Sequence, residues 1–205
     1  MKRVVLTAVN SRYVHTNPAV RLLRAMAPAY TQVVEGTMQD PPLRLIHAIL
    51  ACHPDAVGFS GYIWNRGWML ELAGALRRLR PGLVLFLGGP EFSFEDESFL
   101  AAHPEIDFIM PGEGELIYRE WLRRWEQTGH PLGAPGTLCR DTPFLHGPVI
   151  DLNDLPFAYE GELASLKGRP VYYETSRGCP GRCAGCSIPA SGCGPTAGCA
   201  LRPPP

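Results

Sequence analysis

No apolar run in this chain approaches the ~18 residues that a membrane-spanning helix needs, and the N-terminal MKRVVLTAVNSRY turns polar too early for a signal peptide. An excess of charge of either sign is also missing. With 19 basic and 20 acidic residues the formal net charge is -1, so no electrostatic attraction toward nucleic acid or an anionic membrane surface is expected. These absences make a cytoplasmic location the default expectation, with neither nucleic acid nor membrane as a partner. Disulfides are rare in that compartment, which makes the seven cysteines ligands or free thiols. Cys52 and Cys139 stand alone and read as ordinary small residues. A dinucleotide fingerprint is absent too: Gly112-Glu113-Gly114-Glu115 lacks the G-x-G-x-x-G spacing.

What is present begins with alternation. Over the first ~130 residues, short β-rich runs alternate with helical patterns, as in a parallel sheet covered on both faces. The strands expected are Val4 to Val9, Gln32 to Thr37, Ala56 to Tyr62, Leu83 to Leu87 and Phe108 to Met110. Several are continuously apolar, which suits strands buried on both sides. Helices are expected at Ala19 to Met26, Pro42 to Cys52, Trp68 to Leu79, Ser98 to Ala102 and Glu115 to Trp125, from apolar residues spaced three and four apart. Five such units predict an α/β, flavodoxin-like (Rossmann-type) doubly wound sheet of order 2-1-3-4-5. The divisions expected are a first domain over 1–128, a Pro/Gly-rich linker over 129–169, a further segment over 170–186 opened by a strand at Pro170 to Thr175, and a disordered or aberrant tail over 187–205.

Sheets of this order bind ligands at the carboxyl ends of their strands, where the order reverses. The loops there have unusual composition. After the first strand, Asn10, Ser11, Tyr13 and His15 fall in a long polar and aromatic loop closed by Asn17-Pro18, a helix start. After the third come Ser60 and Gly61, with Trp64 beyond. After the fourth, Gly88-Gly89-Pro90-Glu91 either lets backbone approach a bulky ligand or is a tight turn that needs positive φ; composition leaves both open.

Cys179, Cys183 and Cys186 form C-x3-C-x2-C within TSRGCPGRCAGC. Three thiolates on one loop can hold three irons of a four-iron cubane and leave the fourth open to a small molecule, whereas structural zinc takes four ligands. Arg177 and Arg182 flank the thiols, either as solvated loop residues or as charge that favours thiolates. Cys193 and Cys199 bring the count to five thiols in 21 residues, which leaves a zinc-binding tail as an alternative.

The cysteine loop and its lead-in VYYETSRGCP resemble the cluster motif and first barrel strand of radical S-adenosylmethionine (radical SAM) enzymes. The resemblance implies a 4Fe-4S cluster on Cys179, Cys183 and Cys186. S-adenosyl-L-methionine would bind its open iron and be cleaved to a 5'-deoxyadenosyl radical by one electron from a donor such as flavodoxin or ferredoxin. Gly185 departs from the aromatic usual before the third cysteine. Residues 1–130 resemble the cobalamin-binding domain that precedes the barrel in one branch of that family, with GPVIDLNDLPFAYEGEL resembling its interdomain stretch. This implies cofactor contacts around Asn10, Ser11, Tyr13, His15, Ser60, Gly61, Gly88, Gly89 and Glu91. The Asp-x-His-x-x-Gly of cobalamin domains that ligate cobalt through histidine is absent around His15, so cobalamin is expected without a histidine ligand. The 19 residues after Cys186 contain no strand or helix pattern, and a barrel needs on the order of 150 to 250; a truncated chain, inactive by itself, is expected. The alternative is a non-catalytic cobalamin-binding or ligand-sensing domain. Methyl transfer and other chemistries share this architecture, so the substrate is not specified.

Overall fold

A computed structural model describes residues 1–13, 15–147, 150–174, 176–177 and 200–201. The elements alternate in chain order: β1 (Val4–Asn10), α1 (Pro18–Met26), β2 (Thr31–Thr37), α2 (Pro42–Ala51), β3 (Ala56–Ser60), α3 (Arg66–Leu79), β4 (Val84–Gly88), α4 (Glu97–Ala102), β5 (Phe108–Met110), α5 (Glu115–Thr128) and β6 (Leu138–Cys139). The sheet has the order β2-β1-β3-β4-β5-β6. The first five strands are parallel; β6 runs antiparallel to β5, with Ile109 opposite Leu138. The doubly wound order expected from the sequence is therefore the observed one, extended by a sixth strand inside the stretch expected as linker.

Local chemistry sets the boundaries. Asn17 caps α1 by accepting from the Val20 amide at 3.2 Å, with Pro18 as the first helical residue. Asp96 caps α4 by accepting from the Ser98 and Phe99 amides. Gly129 closes α5 in the left-handed region. All seven residues of β1 are buried because helices cover both faces of the sheet. On one face, Val5, Val57, Leu85 and Ile109 pack with apolar residues of α2, α3 and α4. On the other, Leu6, Phe86 and Phe108 pack with Val20 of α1 and Tyr118, Trp121 and Trp125 of α5. Phe86 and Phe108 stack with centroids 5.0 Å apart, and Trp121 tilts onto both. Gly58 makes room for that stack, since a Cβ there would lie 2.3 Å from the Phe86 ring.

Residues 150–172 return across the first domain. Short 3-10 turns at Leu152–Asp154 and Leu163–Leu166 place Leu152 and Leu155 against Leu22 of α1. Tyr159 is fully buried, bonded through its hydroxyl to Thr16 Oγ1 at 3.2 Å and to the Tyr172 amide at 3.1 Å. An ionic network fastens this strap. Arg21, 6% exposed, reaches Glu35 of β2 at 2.5 Å and Glu162 of the strap at 2.9 Å, and Arg24 also pairs with Glu162.

Residues 170–174, expected to begin a barrel strand, form neither helix nor strand. A strand exists through its neighbours, and residues 170–174 belong to neither sheet. Among the described residues beyond them, β7 (Ser176–Arg177) pairs antiparallel with β8 (Ala200–Leu201). Cys179, Cys183, Gly185, Cys186, Arg182, Cys193 and Cys199 lie outside the described residues, as does most of 187–205. Among the described residues no helix is long and apolar enough to cross a membrane.

Candidate functional site

The order of the sheet reverses between β1 and β3, and side-chain amides tie the two strand ends together there. Asn65, completely buried, donates to the carbonyls of Val9 at 3.0 Å and Ser60 at 3.2 Å and accepts from the Tyr62 amide at 2.8 Å. Asn17 donates to Ser60 Oγ at 3.3 Å, and Asn10 donates to Glu35 Oε1 and to the His15 carbonyl, both at 3.1 Å. Burial pushes the Tyr62 hydroxyl up despite its hydrogen bonds with Ser60 and Asn17. Tyr62 in turn stacks on Trp64 with centroids 4.5 Å apart.

The loop after β4 crosses close to the loop after β3. Gly61 donates to the Gly88 carbonyl at 2.8 Å, and Gly89 has φ of 95° with the place of a Cβ only 2.5 Å from the Gly61 carbonyl oxygen. No other residue fits that crossing without moving backbone. Ser93 Oγ locks the turn by donating to Gly89 O at 2.8 Å and accepting from the Gly112 amide of the next loop at 3.0 Å.

Beneath these loops a cavity of about 310 Å³ lies between the sheet and the first turns of α1 and α5. Leu6, Val20, Leu23, Phe86 and Met110 give it apolar walls, and Ser60, Gly88 and Gly89 stand at its upper edge. Its other end is polar. Arg177 pairs with Glu115 at 2.7 Å and Glu174 at 2.7 Å and approaches Glu113 at 3.7 Å. Burial pulls the Arg177 guanidinium down, but hydrogen bonds to Glu174 and Glu115 and their charge outweigh it and hold it above its ordinary range. Burial pushes the Glu113 carboxyl up; Arg177 opposes the rise, while Glu115 and Glu174 add to it. In the loops after β1, β3 and β4, Tyr13, Ile63, Trp64 and Phe94 are all exposed.

The structure thus gathers Ser60, Gly61, Gly88 and Gly89 at one crossing and places Asn10 and His15 beside it. His15 hydrogen-bonds through Nδ1 to the Tyr172 hydroxyl. Ser11 and Tyr13 are exposed on the same loop. Glu91 is turned toward α3, where it pairs with Arg66 at 3.2 Å. Asn10, Ser11, Tyr13, His15, Gly61 and Glu91 do not line the cavity itself. Reading loops by composition missed Tyr62, Ser93, Glu113, Glu115 and Arg177 as neighbours of one site. The Gly-Glu-Gly-Glu repeat was a signal, since two carboxylates at the carboxyl end of a parallel strand are more than a helix start requires. Among the described residues, no group of three or more His, Cys, Asp or Glu side chains is arranged to hold a metal ion.

Comparison with known proteins finds relatives in sequence. The sequence is 30% identical over 186 residues to 2-(S-pantetheinyl)-carbapenam-3-carboxylate methyltransferase of Streptantibioticus cattleyicolor, covering 80% of this chain and 27% of that one. It is 30% identical over 149 residues to the cobalamin-dependent radical SAM methyltransferase TokK of Streptomyces tokunonensis, covering 65% and 22%. The chain spans about a quarter of the length of these curated relatives. A crystal structure of a cobalamin-binding protein from Desulfitobacterium hafniense aligns over 50% of each chain at 22% identity, with a TM-score of 0.39. The family described as B12 binding domain matches residues 4–122, from the first residue of β1 into α5. Over more than half its length, therefore, this chain belongs to the B12-binding domain family.

Proposed function

We propose that this chain is the cobalamin-binding part of a cobalamin-dependent radical SAM enzyme, of the methyltransferase kind, together with the loop that carries that enzyme's 4Fe-4S cluster. The observation that carries the first half is the apolar cavity under the Gly88-Gly89 crossing, at the reversal of strand order in a B12-binding fold. Its walls suit the nucleotide tail of cobalamin. The exposed apolar side chains of Tyr13, Ile63, Trp64 and Phe94 suit one face of a corrin, and Asn10, Ser11, His15, Ser60 and Gly61 stand where that macrocycle would rest. Apolar surface of this kind, open in the free protein, is the ordinary mark of a binding face.

When bound, cobalamin supplies a cobalt centre able to carry a methyl group, and the cluster with S-adenosyl-L-methionine supplies a radical. The residues of this chain bind and orient. The backbone of Gly61 and Gly89 lets the loops after β3 and β4 cross closely, which fixes the position of the loops that would face the corrin ring. His15 is held by Tyr172, and no carboxylate hydrogen-bonds its ring among the described residues, so we assign cobalamin here no histidine ligand. The cluster is assigned to Cys179, Cys183 and Cys186 on the sequence spacing alone.

Two measurements test this. Hydroxocobalamin is expected to co-elute with the protein in gel filtration; failure to be retained removes the cobalamin half. Anaerobic reconstitution with iron and sulfide is expected to give a broad blue-visible absorbance that disappears when the three cysteines become alanine. Lack of iron uptake by the three-cysteine protein removes the cluster half and leaves a non-catalytic cobalamin-binding domain.

A further inference from the structure

His15 and Thr16, in the loop after β1, are joined to residues 169–172, where the strap runs into the lead-in of the cysteine loop. The joint is a chain of hydrogen bonds in which every proton has a determined place. The hydroxyl of Thr16, 3% exposed, donates to the Pro170 carbonyl at 2.8 Å. A hydroxyl has one proton to give, so the 3.2 Å bond between Thr16 Oγ1 and the Tyr159 hydroxyl is donated by Tyr159. Tyr159, completely buried, accepts in turn from the Tyr172 amide at 3.1 Å. The chain from Tyr172 through Tyr159 and Thr16 to Pro170 therefore leaves each hydroxyl with one bond given and one taken.

The bonds around it point the same way. The His15 carbonyl accepts from Arg169, and His15 Nδ1 is hydrogen-bonded to the Tyr172 hydroxyl. On its other side the loop is held to the sheet: Asn10 of β1 donates to the His15 carbonyl at 3.1 Å, and the Asn17 amide donates to Glu35 of β2 at 2.8 Å. Residues 15–17 thus stand between the sheet and the lead-in, bonded to both. No strand ladder holds residues 170–174, so at Pro170 and Tyr172 these side-chain bonds carry the position of the backbone.

We propose that Tyr159 is a positioning residue whose hydroxyl latches the lead-in of the cysteine loop to the loop after β1, so that a corrinoid resting against that loop also steadies the segment running into the cysteines. The inference rests on the cobalamin assignment above and adds a coupling to it. An enzyme that uses two cofactors in one reaction gains from holding the segments that carry them in one register.

Hydrogen exchange followed by mass spectrometry on the 205-residue chain tests this, with hydroxocobalamin as the ligand. Tyr159→Phe keeps the ring in the core and Thr16→Val keeps the side-chain shape; each removes one hydroxyl. Without ligand, the amides of residues 171–174 are expected to exchange about 10-fold faster in both variants, the factor that one hydrogen bond of ordinary strength supplies. Thr16→Ser, which restores the hydroxyl, should match the unaltered protein. Equal rates in the unaltered protein and the two variants overturn the latch whatever the chain binds, and fast exchange in Thr16→Ser assigns the effect to packing instead. With hydroxocobalamin, the unaltered protein is expected to slow at both 10–17 and 171–174, and Tyr159→Phe and Thr16→Val at 10–17 alone. Slowing at 171–174 that survives in both variants sinks the coupling, because the ligand then covers that segment directly; slowing confined to 10–17 in the unaltered protein sinks it as well. If hydroxocobalamin does not co-elute with the unaltered protein, the cobalamin assignment falls and the coupling with it, while the ligand-free rates still decide the latch.

Discussion

Gly89 and Gly74 make opposite demands on a side chain. At Gly89 the φ of 95° and a Cβ position 2.5 Å from a backbone oxygen leave alanine no accommodation. Gly89→Ala is expected to cost at least ~2 kcal/mol, read as a lower urea midpoint, and to abolish corrinoid binding if the Gly61 crossing shifts. In α3, a Cβ at Gly74 meets only the end of Arg78 at 3.5 Å, so Gly74→Ala should stabilise by about 0.5–1 kcal/mol. Glu35 gives a pH signature. Burial pushes its carboxyl up, yet the hydrogen bond and charge of Arg21, with bonds from Asn17 and Asn10, bring it below its ordinary value of 4.5. The unfolded chain therefore takes up the proton first as pH falls. The stabilisation is present above about pH 4.5 and is lost as pH drops through the lower folded value. Urea midpoints measured between about pH 3 and 6 should show an acid limb that flattens in Glu35→Gln. At neutral pH that variant should lose roughly 2–4 kcal/mol, somewhat moderated because Arg21 keeps Glu162.

Among the elements, the strap over residues 150–172 is the one whose attachment can be separated from the core. Glu162 receives both Arg21 and Arg24 of α1 and lies outside the two core clusters that hold the helices to the sheet. Glu162→Ala should leave the far-ultraviolet spectrum intact and speed protease cleavage within 141–172. Unchanged cleavage would show that the contacts of Leu152, Leu155 and Tyr159 hold the strap without ions. The same contrast explains what the sequence made legible. Because apolar spacing and Asn17-Pro18 are local signals, the five parallel strands and the first four helices lie within two residues of their expected ends, while α5 runs three residues further, to Thr128. β6 was not legible, since two residues carry no period. Nor was the docking of the strap, although Leu152, Leu155, Tyr159 and Leu166 in a Pro/Gly-rich stretch hinted at a surface to cover. Of the candidate site, the glycine crossing and Ser60 were readable from composition. The convergence of Glu113, Glu115 and Arg177 was not, because residues more than 60 positions apart meet only once the sheet has ordered its loops.

For the whole molecule, ligand binding and stability should report on each other. If the cavity and loops take cobalamin in the folded state alone, hydroxocobalamin at 100 times its dissociation constant adds about 2.7 kcal/mol. The melting temperature should then rise on the order of 5–10 °C. A thermal-shift series with and without hydroxocobalamin checks this, and a flat response would contradict binding by the folded chain.

The small strand β6 bears on how copies of this protein meet. A parallel sheet that ended at β5 would offer three residues of free backbone, flanked by the apolar side chains of Phe108 and Met110, as a template for a strand from another chain. Instead Leu138–Cys139 occupies that border. Next to it, the guanidinium of Arg140 donates to the carbonyls of Leu100, His103 and Ile106, pinning the covering segment to the end of α4. Two residues running the opposite way leave little ladder for a stranger to extend. Edge-to-edge polymerisation through this side of the sheet is thereby blocked, at the cost of one short turn of chain.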